Sequence, residues 1–392
     1  MVRPLSVGIV GGGLGGLAAA LFLRKDGIEA TVYEQSSELR EVGAGIVVSP
    51  NMVRPLQRLG LGDALERIAV RLEAAWEFRR WQDGRVLFVQ PMGEECRTLY
   101  GAHCYVAHRA DVLKVLLSEL PAGALRLNHR CVDVTPEGEI RFEDRTIKAD
   151  VVVGADGIHS IVRDKVAPKL EARFSGSCAF RCLVPAGRAP EMARRPVQTL
   201  WLGPGRHFVH YPISAGRYVN VVAIVPAGDW RMESWTAEGK VEDMLAEFEG
   251  WDARLRQLIV SATDTKRWAL YDRSPIERWT EGRLALLGDA AHAMLPYFGQ
   301  GAAQAIEDAE GLAACLRDAS AESVPQALAR YEALRRPRAN EVLLMSRGRE
   351  TRNHLPDGPE QEARDAELVR GDPLRQSAWL YGRAHESGLG LQ

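Results

Sequence analysis

Two hydrophobic periods alternate along the chain. Residues 5–10 (LSVGIV) form a short apolar run rich in β-branched side chains, which predicts a strand. After a glycine cluster, residues 17–23 (LAAALFL) are strong helix formers, Gly27 stops them, and residues 28–33 (IEATVY) read as a second strand. Residues 51–70 carry a helical period broken at Gly60 and Gly62. Residues 75–81 alternate, and Asp83-Gly84 before residues 86–89 is a hairpin signal. A short strand at 105–109 leads into an amphipathic helix at 111–120, and strands are expected at 125–133 and 139–142. Residues 151–153 are wholly apolar and run into Gly154-Ala155-Asp156-Gly157, the pattern of a buried parallel strand delivering polar groups to a site.

From 175 to 273 the texture changes. Strand-like runs recur at 178–184, 198–202, 207–211, 218–225 and 267–271, with helices at 241–249 and 253–261 before the last. This predicts a mostly antiparallel sheet with a helical cover. Residues 283–287 are again an apolar strand, running into Gly288-Asp289. Helices follow at 302–317 and about 325–349, the second disturbed at Pro337. Its arginines (Arg335, Arg336, Arg338, Arg347, Arg349) read as a solvated face, and residues 351–392 as a polar tail anchored at Trp379-Leu380-Tyr381.

The first strand–helix junction carries chemistry. Gly11-x-Gly13-x-x-Gly16 lies between strand and helix, where GxGxxG is meaningful. Gly11 permits the tight turn, Gly13 lets backbone approach a pyrophosphate, and Gly16 lets the helix pack closely on the strand. The helix N-terminus attracts the phosphates. Glu34 closes the second strand, 18 residues after Gly16, where an acid accepts hydrogen bonds from a ribose. A carboxylate there repels a 2′-phosphate, so FAD or NAD fits this position and NADP does not. Gly299-Gln300-Gly301 forms a second glycine-rich helix start, another place for backbone N–H groups to meet an electron-rich ligand edge. Arg40, Arg109, Asp156 and Arg163 stand at junctions where a ligand is reachable.

At 392 residues, 46% of them hydrophobic, the composition is that of a globular chain, and a net charge of -2 offers no reason to propose nucleic acid. No run is long enough for a membrane span and no leader-like segment precedes the first strand, so a cytoplasmic protein is expected. The six cysteines form no CxxC and read as free thiols, with no metal site.

Three motifs in order, Gly11-x-Gly13-x-x-Gly16, Asp156-Gly157-x-x-Ser160-x-x-Arg163, and Gly288-Asp289-Ala-Ala-His292-x-x-x-Pro296-x-x-Gly299-Gln300-Gly301, resemble the single-component FAD-dependent aromatic hydroxylases. Within them the chain looks most like salicylate and 3-hydroxybenzoate hydroxylases, on the stretches at 43–51, 205–212, 300–309 and 378–382. The resemblance implies an α/β fold with a C-terminal helical segment: a Rossmann-like FAD-binding domain (1–73, 92–174, 276–350), an inserted, mostly antiparallel β-sheet substrate domain (74–91, 175–275), and a C-terminal tail (351–392). It implies tightly bound, non-covalent FAD, NADH or NADPH as transient reductant with no second nucleotide fold, and O2 as co-substrate. Hydroxylation then proceeds through a flavin hydroperoxide. The implied FAD contacts are Gly11, Gly13, Leu14, Gly16, Glu34, Gln35, Arg40, Arg109, Cys131, Val132, Asp156, Arg163, Asp289, Gly299, Gly301 and Ala302. Pro296 joins the catalytic set; Val47, Trp201 and Tyr297 join the substrate set.

On a strand, residues two and four apart share a face, so His207 and Tyr211 point the same way, about 13 Å apart at ~3.3 Å per residue, and His210 points oppositely. A phenol needs hydrogen bonding or deprotonation before its ring attacks an electrophile, and His207 and Tyr211 are the candidates. The expected partner is a small aromatic acid, and the expected state a monomer or homodimer. A hydroxypyridine carboxylate such as 6-hydroxynicotinate is the alternative substrate; Val47 and Tyr297 stand where those enzymes carry histidine, which weighs against it. Ala303 stands where many relatives carry asparagine. A flavin halogenase is disfavoured because WxWxIP is absent, and a flavin-binding redox sensor is the non-enzymatic alternative.

Overall fold

Parallel strands Ser6–Val10, Glu29–Tyr33, Leu125–Arg126, Val151–Gly154 and Leu284–Leu286 build one six-stranded sheet, with Thr280–Glu281 antiparallel at its edge. The computed structural model describes residues 4–39, 45–233, 237–382 and 386. The central strands are apolar on both faces because helices cover both, as a parallel sheet requires. Helix Leu14–Lys25 packs on helix Gly301–Leu316, and its end carries Gly27 at φ +78°, as expected. The single strand expected at 125–133 is instead two, broken where Asn128 adopts φ +57°.

An eight-stranded sheet forms the second layer. Arg173–Pro185, Tyr218–Pro226, Arg206–Ile213 and Val197–Gly203 pair antiparallel in that order, and Ala74–Arg80 adds in parallel with its hairpin partner Val86–Pro91. The 83–84 hairpin therefore joins this sheet and not the nucleotide sheet. Helices Val241–Glu247 and Ala253–Val260 cover its outer face through Phe248, Trp251, Leu255 and Leu258 against Phe180, Trp201 and Phe208.

Helix Val324–Asn353 runs unbroken through Pro337. Proline removes one intrahelical bond, but Arg335 and Arg338 flank it and tie the helix to Gly301–Leu316. This corrects the expected solvated arginine face. Arg335 is 1% exposed and donates to Glu307 (2.6 Å), Asp308 (2.8 Å) and Gln304 (2.8 Å). Arg338 donates to Glu307 at 2.7 Å, and Arg347 to Asp272 at 2.5 Å. The expected polar tail is also corrected: Pro359–Arg370, Pro373–Gln376 and Ala378–Tyr381 are helices, with Leu380 and Tyr381 buried. Among the described residues no helix is long and apolar enough to cross a membrane.

Removing one partner of a buried ion pair strands the other without compensation. Arg335→Met is expected to destabilise the protein by about 3–5 kcal/mol, read as a lowered urea midpoint; an unchanged midpoint would show that Glu307 and Asp308 do not depend on it.

Candidate active site

The glycine loop is shaped by contacts that only glycine allows. Gly11 has φ +107°, and a Cβ there would lie 2.3 Å from the Ala155 carbonyl oxygen. A Cβ on Gly16 would lie 2.1 Å from the Gly11 carbonyl oxygen, so the helix sits directly on the turn. Gly13 has no atom within 4 Å of the corresponding position, and helix Leu14–Lys25 begins without a side-chain cap, leaving its N–H groups open to an anion. Leu14 itself is buried. Glu34 Oε2 accepts from Gly12 N–H at 2.8 Å and Oε1 from Ser36 N–H at 2.9 Å, holding its carboxylate at the loop, while Gln35 beside it is exposed. Arg109 opens helix Arg109–Ser118. Arg40 lies outside the described residues. Cys131 is buried, its thiol pushed up to about 11 by burial and the charge of Asp156, whereas Val132 is exposed.

Asp156 turns back on its own loop, accepting from Ser160 Oγ (2.5 Å), Ile161 N–H (2.8 Å) and Val162 N–H (3.4 Å). Burial raises its carboxyl pKa against these bonds. Arg163 donates to the carbonyls of Ile158 (2.8 Å) and Ala290 (3.4 Å). The pair therefore braces this loop against the one carrying Asp289, whose side chain is exposed.

At the far end, Pro296–Phe298 forms a 3-10 turn closed by Gly299 at φ +62°, with the Pro296 carbonyl accepting from Gly299 N–H at 3.0 Å. Helix Gly301–Leu316 then starts with no side-chain cap and no acid in its first turn, with Gly301 and Ala302 half-buried there and Ala303 fully buried. Val47 is buried against this turn, its Cγ2 3.2 Å from where a Cβ on Gly299 would lie. Gln300 is fixed beneath it, accepting from Asn51 Nδ2 at 3.0 Å and donating to Ser49 at 3.0 Å. Two uncapped helix starts, the open space at Gly13 and the carboxylate of Glu34 together fit a long dinucleotide whose anionic and electron-rich groups need backbone donors.

The eight-stranded sheet presents one face to this turn. Cross-strand pairing aligns Ala179, Ile224, His207 and Leu202 in one row, and Arg181, Val222, Val209 and Leu200 in the next. Leu183, Asn220 and Tyr211 form a third. His207 and Tyr211 thus share a face, as expected, but their neighbours differ. His207 is buried, its Nδ1 2.7 Å from His354 Nε2 and its ring 5.5 Å from that of Tyr297. Tyr297 donates to Glu350 at 2.6 Å, which also accepts from Ser177 at 2.8 Å. Tyr211 lies against Gly45, whose N–H donates to Asn220 Oδ1 at 2.7 Å. Burial raises the pKa values of both phenols. Arg181 lies over the Trp268 ring at 4.4 Å, and burial lowers its pKa to about 10.

Trp201 corrects an expectation. It pairs with Phe208 on the opposite face, wholly buried under the helical cover, and donates to His210 Nε2 at 3.1 Å. It cannot touch a ligand beside Val47. His354, Glu350 and Arg349 come from the end of the long helix, and no spacing in the sequence distinguishes them from its other polar residues.

Burial pushes His207 well below its usual range, His210 to about 3 and His354 to about 4, so all three are neutral at pH 7. Unfolded imidazoles protonate near 6.5 and bind protons before the folded ones do, so stability falls as pH drops from about 6.5 towards 4. Urea midpoints are expected to hold from pH 8 to 7 and decline below 6.5, with a shallower decline in His354→Asn; equal slopes in both proteins would contradict this.

Residues 4–346 match the family described as FAD binding domain. A 3-amino-4-hydroxybenzoate 2-monooxygenase of Streptomyces platensis is 45% identical over 384 residues, covering 97% of this chain and 96% of its own. A salicylate hydroxylase of Pseudomonas putida is 37% identical, covering 86% and 83%. The solved substrate complex of a salicylate hydroxylase superposes with a TM-score of 0.84 at 28% identity, covering 99% of this chain and 97% of that one. The chain belongs to the FAD-binding family of aromatic-ring monooxygenases.

Proposed function

We propose that this protein hydroxylates a hydroxybenzoate-type aromatic acid, with an aminohydroxybenzoate as the favoured substrate, using NAD(P)H and O2. The observation that carries the reading is the sheet face bearing His207 and Tyr211 opposite the 294–299 turn. The aminohydroxybenzoate preference rests on relatives at 42–45% identity named 3-amino-4-hydroxybenzoate 2-monooxygenases. FAD, when bound, supplies electron transfer from NAD(P)H and activation of O2. Gly11, Gly13, Gly16 and Glu34 would hold its adenosine and pyrophosphate end, and Asp289, Gly299, Gly301 and Ala302 its ring end.

The chain's own residues then do three things. Val47, Val209, Met294 and Phe298 make apolar walls that exclude water from the ring. His207, neutral and with Nδ1 2.7 Å from His354 Nε2, is a proton acceptor at Nε2 when its Nδ1–H donates to His354. Tyr211 supplies a phenolic hydroxyl on the same face. Together they orient a ring hydroxyl and accept its proton, activating the ring carbon beside it.

The purified, yellow protein is expected to oxidise NADH or NADPH faster when given 3-amino-4-hydroxybenzoate, salicylate or 3-hydroxybenzoate, with product gaining one oxygen atom by mass spectrometry. No stimulation and no oxygenated product with any of them would overturn the reading. His207→Gln and Tyr211→Phe should each retain FAD yet lose about 10²-fold in coupled hydroxylation; unchanged product formation in both would refute their roles.

A further inference from the structure

A cavity of about 690 Å³ opens beside the 296–298 turn, between strand Ala74–Arg80, the end of the long helix and the C-terminal helices. Phe298 of the turn, Trp76 and Phe78 of the strand, and Arg349 of the helix all line it. Its volume suits a small aromatic ligand. Phe298 also packs on the apolar cluster that holds Val47, Val209 and Tyr211, so this one side chain borders both the cavity and the candidate active site.

Arg349 is the distinctive group. Its guanidinium lies over the Phe298 ring at 4.8 Å. Among the described residues it makes no hydrogen bond and no ion pair, although it is half-buried and its pKa is lowered by burial and by Arg352. The nearby acids are committed elsewhere: Glu350 accepts from Tyr297 and Ser177, and Glu367 from Arg352 at 2.8 Å. The other arginines of this helix that are buried at its packed side each hold a carboxylate, as Arg335, Arg338 and Arg347 do. A partly desolvated guanidinium whose five N–H donors meet no protein acceptor is free to take an anion entering the cavity. Its planar fork matches a carboxylate in bidentate fashion.

We infer that Arg349 binds the carboxylate of the aromatic acid, holding the substrate in the cavity against Phe298 and the 296–298 turn. This rests on the aromatic-acid reading above and assigns the residue that selects acids over neutral phenols. No other function is required of the cavity: its aromatic walls take the ring and its unpaired cation takes the charge.

The test uses the FAD-loaded enzyme and two probes, 3-amino-4-hydroxybenzoate and its carboxamide, titrated by the change in flavin absorbance. Wild type should bind the acid more tightly than the amide. Arg349→Met should weaken the acid by about 100-fold and Arg349→Lys by about 10-fold, with the amide within about 2-fold of wild type in both. FAD content and circular dichroism confirm that the variants fold. Equal weakening of acid and amide would show a packing role and overturn the assignment, as would unchanged binding of both. If wild type binds and hydroxylates none of the acids offered, the aromatic-acid reading fails; if it turns them over and Arg349→Met binds them as well as wild type, only the Arg349 assignment fails.

Discussion

The structure depends on a buried charge cluster at one helix–helix contact. Glu307 and Asp308 lie on helix Gly301–Leu316, wholly buried, and are met by Arg335 and Arg338 from helix Val324–Asn353. Burial alone would push Asp308 up, but His292 and Arg335 outweigh it and hold it charged. Such a cluster stabilises only when every member is matched, and here the matching reaches outward. Asp308 accepts from Gly288 N–H at 3.0 Å and pairs with His292 at 2.6 Å, fixing the loop that carries Asp289. Glu307 accepts from Asn51 at 2.6 Å, and Asn51 donates to Gln300, fixing the start of the same helix. Both loops that would face the flavin ring are therefore positioned by one electrostatic knot behind them.

The second constraint is the division of labour between sheet and helix. Strand Arg206–Ile213 supplies His207 and Tyr211 with fixed spacing, but a strand cannot choose what lies opposite. The end of the long helix does that, bringing His354 to His207 and Glu350 to Tyr297. The same helix is bound at its other end to the charge cluster. A shift in either helix would move the turn and the residues over the sheet together, so the pocket is assembled as a unit.

What was legible in the sequence follows the range of the interactions involved. The glycine loop, Glu34 and the 299–301 turn were readable because their geometry is local: positive φ and close backbone approach leave glycine no substitute. The shared face of His207 and Tyr211 was readable because period two is intrinsic to a strand. Trp201 was misplaced for the complementary reason, since its face depends on its register against Phe208, which only the folded sheet defines. The arginines of the long helix looked solvated because an isolated helix shows no partner; their carboxylates lie on a helix that ends before the long one begins, and on strand Thr265–Asp272. Residues 351–392 look like a tail in the sequence because their helices are short and pack largely on surface made by distant elements.

The pocket divides its charge between groups. The imidazoles facing it are neutral at working pH, and the phenols of Tyr211 and Tyr297 are held protonated by burial. A neutral imidazole is the state able to take a proton, but it offers no compensation for an anionic substrate. A carboxylate entering such an apolar space loses its hydration and needs a cation within reach. A cation beside His207 would depress its basicity further, so a carboxylate is better met by a different side chain: Arg181, one row along the same sheet face, or Arg349 on the long helix. Proton acceptance at one edge of an aromatic ring and charge neutralisation at another therefore call for different side chains, one kept neutral by burial and one kept charged.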